Sequence, residues 1–301
     1  MKRINTSLII ALLPLVIACF EEFDDPTQAV LKKTEIIGIT LNPPEASPGD
    51  TVTATVHVAD GLGKRPALSA IWMTDGTDSL IPLLGQTVQF VVPSIPDDAY
   101  NEHGMAAYMI SVAVAKDNRL LENLGGIDDI DAILNSNDVL FGMRTLTVSR
   151  TPNAPRTNNP TLSRLALHRA DDTIVDIIAA VSTAPDFEAQ RQIAMASPLT
   201  ITEDEEVHFQ AVSSAALPGN TLRYQWISTA GDFKSRREAI EPWIAPEYKE
   251  YTGGAPADPL NLQARKDPNI HPVFLLIRDD GEPWHLGLTI AEFYVRVVPA
   301  P

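Results

Sequence analysis

Eight consecutive residues, Thr51-Val52-Thr53-Ala54-Thr55-Val56-His57-Val58, alternate polar and apolar side chains and restrict the fold more than any other stretch. A period of two places Val52, Ala54, Val56 and Val58 on one side of an extended chain and the threonines and His57 on the other, the pattern of a half-buried strand. Threonine and valine are β-branched and pack well on a pleated surface. One such strand has nothing to bury its apolar face against, so the chain must supply more, and it does. Ile37, Ile39 and Leu41 alternate with Gly38, Thr40 and Asn42 before it. Leu68 to Met73, Thr87 to Val92, Tyr108 to Ala115 and Arg144 to Val148 follow as further strands. The punctuation is Pro43-Pro44, Ser47-Pro48-Gly49-Asp50 and Asp60-Gly61, all turn chemistry. With 24 prolines against 16 glycines, the chain favours many short, turn-bounded strands over long helical bundles.

The second half repeats this order. Leu162, Leu165 and Leu167 open it, Glu206 to Val212 follow an acidic turn, and Leu222 to Ile227 carry Trp226. Val273 to Ile277 end at Arg278-Asp279-Asp280-Gly281, and Phe293 to Val298 close the chain. Gly49 lies 23 positions before Trp72 and Asp204 lies 22 before Trp226, a spacing that indicates duplicated architecture. Pro152, Pro155 and Pro160 among Asn and Thr residues make 151–160 a stiff extended linker. The expectation is an all-β protein with one sandwich over 35–150 and a second over 161–301.

These features resemble the immunoglobulin-like and polycystic-kidney-disease-like β-sandwich repeats of bacterial surface lipoproteins. The resemblance rests on the Ser47-Pro48-Gly49-Asp50 turn, the strands bearing Trp72 and Trp226, and the Arg278-Asp279-Asp280-Gly281 turn. It implies two tandem sandwiches, each with a buried Trp at its centre. The cysteine pair of antibody domains is missing, so each core must hold without a disulfide. Two stretches depart from a plain sandwich. In Arg119 to Asp138, Leu120, Leu124, Ile127, Ile130 and Leu134 recur at intervals of three and four, as in short helices. Within Asp171 to Ala196, a helix is expected from Pro185 through Met195, with Asp186 and Glu188 in its first turn. Inserts and loops on a rigid sandwich are the usual carriers of binding specificity.

The N-terminus carries the address. Lys2 and Arg3 precede the apolar run Leu8 to Ile17, too short to span a bilayer, and small Ala18 precedes the only cysteine of the chain. Val16-Ile17-Ala18-Cys19 resembles the lipobox of bacterial lipoproteins. The resemblance implies that 1–18 is removed as a signal peptide, that Cys19 receives a diacylglyceryl group, and that 19–34 is a tether between lipid and first domain. Several acyl chains anchor stably where one does not, since each buried CH₂ contributes roughly 0.8 kcal/mol. Phe20 stands where an Asp would resemble an inner-membrane retention signal, so the outer membrane is the expected location. Removal of 1–18 leaves 283 residues and, with Lys2 and Arg3 gone, takes the net charge from −16 to −18. That surface repels nucleic acid.

Catalytic chemistry is not indicated. His57, His103, His168, His208, His271 and His285 include no pair at the spacing of a zinc-binding helix, and no Gly-x-Ser-x-Gly elbow, phosphate loop or dinucleotide fingerprint occurs. His57 and His208 occupy equivalent alternating strands and are expected on outward faces. The cation of choice is calcium, for which Asp128, Asp129, Asp131, Asn135 and Asp138 concentrate oxygen donors. The competing reading of that stretch is a solvated acidic helix face. Trp243, Tyr248 and Tyr251, in a long loop with Pro242 and Gly253-Gly254, and Trp284 form a candidate binding loop for a sugar or protein partner. The competing reading is that these aromatics pin the loop to its own domain. The expected function is a lipid-anchored envelope binding or structural protein whose partners are the membrane and an envelope protein or glycan. The alternatives are a carbohydrate- or peptidoglycan-binding surface lipoprotein, and an envelope hydrolase whose carboxylates assemble in space.

Overall fold

The computed structural model describes residues 31, 34–60, 63–64, 70–74, 83–115, 139–151, 158–182, 187–215, 220–235, 237–250, 267–279 and 287–301. Among these the first half supplies β1 (Glu35–Asn42), β2 (Glu45–Ala46), β3 (Thr51–Asp60), β4 (Gly63–Lys64), β5 (Ala70–Thr74), β6 (Leu83–Leu84), β7 (Thr87–Val91), β8 (Met105–Ala115) and β9 (Val139–Ser149). One sheet joins β1, β3, β4 and β7; the other runs β2-β9-β8-β5-β6. The alternation that marked β3 is realised: Val52, Ala54, Val56 and Val58 face Trp72, Tyr108, Ile110, Val112 and Leu146 in one apolar core. At Pro43-Pro44 the chain leaves the first sheet, because proline has no N–H to continue the ladder, and β2 joins the second sheet parallel to β9.

The second half supplies β10 (Thr161–His168), β11 (Ile174–Asp176), β12 (Ala180–Val181), helix α1 (Phe187–Ala196), β13 (Leu199–Thr202), β14 (Glu206–Ser214), β15 (Leu222–Ser228), β16 (Asp232–Phe233), β17 (Ile240–Ile244), β18 (Ile270–Asp279) and β19 (Leu288–Val298). One sheet runs β11-β10-β14-β17-β16; the other runs β12-β19-β18-β15, with β13 parallel to β19. Seven strands of each half correspond: β1, β2, β3, β5, β7, β8 and β9 with β10, β13, β14, β15, β17, β18 and β19. In each, the opening strand pairs with β3 or β14, a short later strand runs parallel to the last strand, and β8–β9 or β18–β19 form the long central hairpin. That order defines two tandem immunoglobulin-like β-sandwiches. The duplication extends to detail. Gly49 and Asp204, the positions matched by spacing, both take left-handed backbone angles, φ 89° and 58°. Trp72 and Trp226 are both fully buried, and each indole N–H donates to a main-chain carbonyl shortly after it, Gly85 O at 2.8 Å and Glu238 O at 2.9 Å.

β18 and β19 are buried on both faces over most of their length, and the structure shows why. Val273, Leu275, Ile277, Phe293 and Val295 face the inner core. On the opposite face Phe274, Leu276, Leu288 and Ile290 pack against Ile37 and Ala59 of the first sandwich, together with Leu31 and Ile227. Gly38 makes this approach possible, since a Cβ there would stand 2.8 Å from Ile290 Cδ1. Asn159 ties the sandwiches at the same seam, its amide N–H donating to Leu41 O (2.9 Å) and its oxygen accepting from Leu288 N (3.0 Å). Farther along the outer face of β19, α1 takes over as cover. Ala194 and Met195 pack with Ala180 and Tyr294, and buried Arg191 lies 3.4 Å from Glu292, which also accepts a hydrogen bond from the Tyr294 hydroxyl.

Candidate functional site

A depression of about 280 Å³ lies on the outer face of the β10-β14-β17 sheet, lined by His168, His208, Ile240 and Pro242. Sheet register builds it. His168 stands directly opposite His208, and His208 directly opposite Pro242, so three neighbouring strands each contribute one side chain to a single rung. Ile174 of β11 extends that rung beyond His168, and Gln210 and Ile240 form the next one. Directly opposed residues of antiparallel strands hold their Cβ atoms about 4.5–5.5 Å apart, so the two imidazoles share one small space. His168 Nε2 is 2.7 Å from Gln210 Oε1, and His208 Nε2 is 3.7 Å from Glu206 Oε1. Glu206 is also bonded by Lys234 at 2.8 Å, and that hydrogen bond lowers its carboxyl pKa. On the same sheet face Ile240, Ile174 and Val212 are exposed at 52%, 51% and 42%.

The two described residues of the candidate aromatic loop, Trp243 and Tyr248, follow the competing reading and pack onto their own domain. Trp243 belongs to β17, not to a loop, and is wholly buried, with its ring centroid 5.7 Å from Phe209 and 6.4 Å from Phe233. It offers no face to a ligand. Tyr248 lies against the same core, and its main-chain N–H donates to Glu203 Oε2 at 3.0 Å. Tyr251 and Trp284 lie outside the described residues, as do Cys19 and the calcium candidates Asp128, Asp129, Asp131, Asn135 and Asp138. Among the described residues no group of three or more His, Cys, Asp or Glu side chains is placed to hold a metal ion, and no helix is long and apolar enough to cross a membrane. His57 does stand on the outward side of β3, yet it is buried, with Nε2 2.8 Å from Thr40 Oγ1. At the seam, Arg144 is desolvated and close to Arg278, which together bring its pKa down to about 10, still protonated at neutral pH.

The sequence marks His208 as outward-facing and gives His168 no role. Their meeting depends on the register between β10 and β14, which spacing along one chain does not encode. No family model and no curated protein matches the sequence. Among solved structures, the three N-terminal domains of the bacteriophage RB49 highly immunogenic outer capsid protein (Hoc) align over 89% of this chain and 71% of that one, at 10% identity and a TM-score of 0.21. At that score the fold assignment stands on the strand topology itself.

Proposed function

We propose that the protein is a lipid-anchored outer-membrane module without catalytic chemistry, whose two sandwiches act as one body that presents sheet surface to a partner in the cell envelope. The observation that carries this reading is the seam. Both faces of β18 are buried, one of them against the first sandwich, which suits a display element held in a set orientation better than beads on a string. The lipobox match at Val16-Ile17-Ala18-Cys19 supports the anchor. Leu31, twelve residues after Cys19, is buried in the seam and its N–H donates to Ser228 O at 2.8 Å, so any tether would pull on the junction of the two domains. The glycan-binding alternative loses its strongest side chain with Trp243 in the core.

The anchor is tested by metabolic labelling with palmitate followed by membrane fractionation. The wild-type chain takes up label and sediments with outer membranes, whereas Cys19→Ser does neither. Equal labelling of the two removes the anchor from the account. Envelope crosslinking then identifies the partner.

A further inference from the structure

We propose that His168 and His208 form a two-imidazole chelate for a borderline divalent transition-metal ion, Zn²⁺ or Cu²⁺, on the outer face of the second sandwich. This does not depend on the envelope reading above. Register brings the pair together: the two residues share one ladder rung, and no other two described histidines do. Their side chains rise from the same sheet face at cross-strand distance, and an ion bonded to imidazole nitrogen at about 2.0–2.1 Å lies within reach of both rings. Imidazole is the ligand that suits zinc and copper.

The surroundings supply what a chelating histidine needs. Gln210 Oε1, accepting from His168 Nε2–H at 2.7 Å, puts the proton on that nitrogen and leaves the lone pair of Nδ1 for a metal. Glu206, 3.7 Å from His208 Nε2, places a carboxylate beside the second ring. Ile240 and Pro242 wall the depression on its third side. The remaining histidines differ. His57 is buried and bonded to Thr40, and His103 is exposed beside Glu102 on a turn. His271 lies at the start of β18, away from this face. With two protein ligands rather than three, the ion keeps open positions, which water or a donor atom from a partner fills.

The test uses the full chain with Cys19→Ser, so that no thiol competes for the metal, titrated with Zn²⁺ by calorimetry and with Cu²⁺ by electron paramagnetic resonance at pH 7.5. Expected are one ion per chain and a copper spectrum with two nitrogen ligands. His168→Asn and His208→Asn, which keep polar side chains on an exposed sheet face, each weaken binding about tenfold or more and leave one nitrogen. Gln210→Ala, which removes only the partner of His168, weakens it less while both nitrogens remain. Absence of binding to the wild type, or binding unchanged by both histidine substitutions, overturns the proposal. Melting curves of each variant confirm that it is folded.

Discussion

His271 lies on the same face of β18 as Val273, close to Lys249 and Asp267. Burial first, and then the Lys249 charge, bring its pKa from 6.5 down to about 4, so the folded protein holds it neutral. Between those two values the unfolded chain binds a proton that the folded chain does not, and stability therefore falls as pH drops from 6.5 toward 4. The loss from this one group is on the order of 2–3 kcal/mol. Denaturant midpoints of wild type and His271→Gln measured from pH 7.5 to 4 should diverge, with the variant losing less; parallel curves would show that His271 carries no such penalty. At this scale the sequence is informative where one residue type answers one local need. Gly49 and Asp204 are turn residues and take the left-handed conformation such residues tolerate, while Trp72 and Trp226 sit in alternating strands and point inward. The protonation state of His271 is not legible, because it is set by what packs around it.

Strands with clean alternation, β3 and β14 above all, are legible from the residues that form them, as is α1, whose acidic start and spaced apolar residues mark it. β17 is not. Ile240-Glu241-Pro242-Trp243-Ile244 has a proline at its centre, which lowers any strand assignment, yet it pairs with β14 on one side and β16 on the other. With that strand illegible, Trp243 reads as a loop residue and hence as a binding candidate. Its true position yields a prediction: Trp243→Ala removes a fully buried indole from the Phe209–Phe233 cluster and costs about 3–5 kcal/mol in urea denaturation. A loss under about 1 kcal/mol would mean that the side chain is not in the core. The two-residue β2 and the four-residue β13 escape sequence reading for another reason, since each exists only through its parallel pairing with β9 or β19.

For the whole molecule, the informative sequence feature is the unbroken apolar run Val273 to Ile277. Alternation describes a strand with one wet face, whereas a continuous run describes one covered on both. Its inner side was predictable as sandwich core; the identity of the outer cover, the first sandwich, was not, because Ile37 and Ala59 lie more than two hundred residues away in the chain. Gly38 is the counterpart on that first sandwich, open enough for Ile290 to enter. These contacts predict that the two sandwiches move as one body. Because Cys19 is the only cysteine, a Cys19→Ser background allows spin labels at Val91→Cys and Val212→Cys, exposed positions in different sandwiches. Pulsed dipolar spectroscopy should give one narrow distance distribution that broadens when Ile290→Asp places a charge in the seam. A distribution already broad with the seam intact would contradict the account.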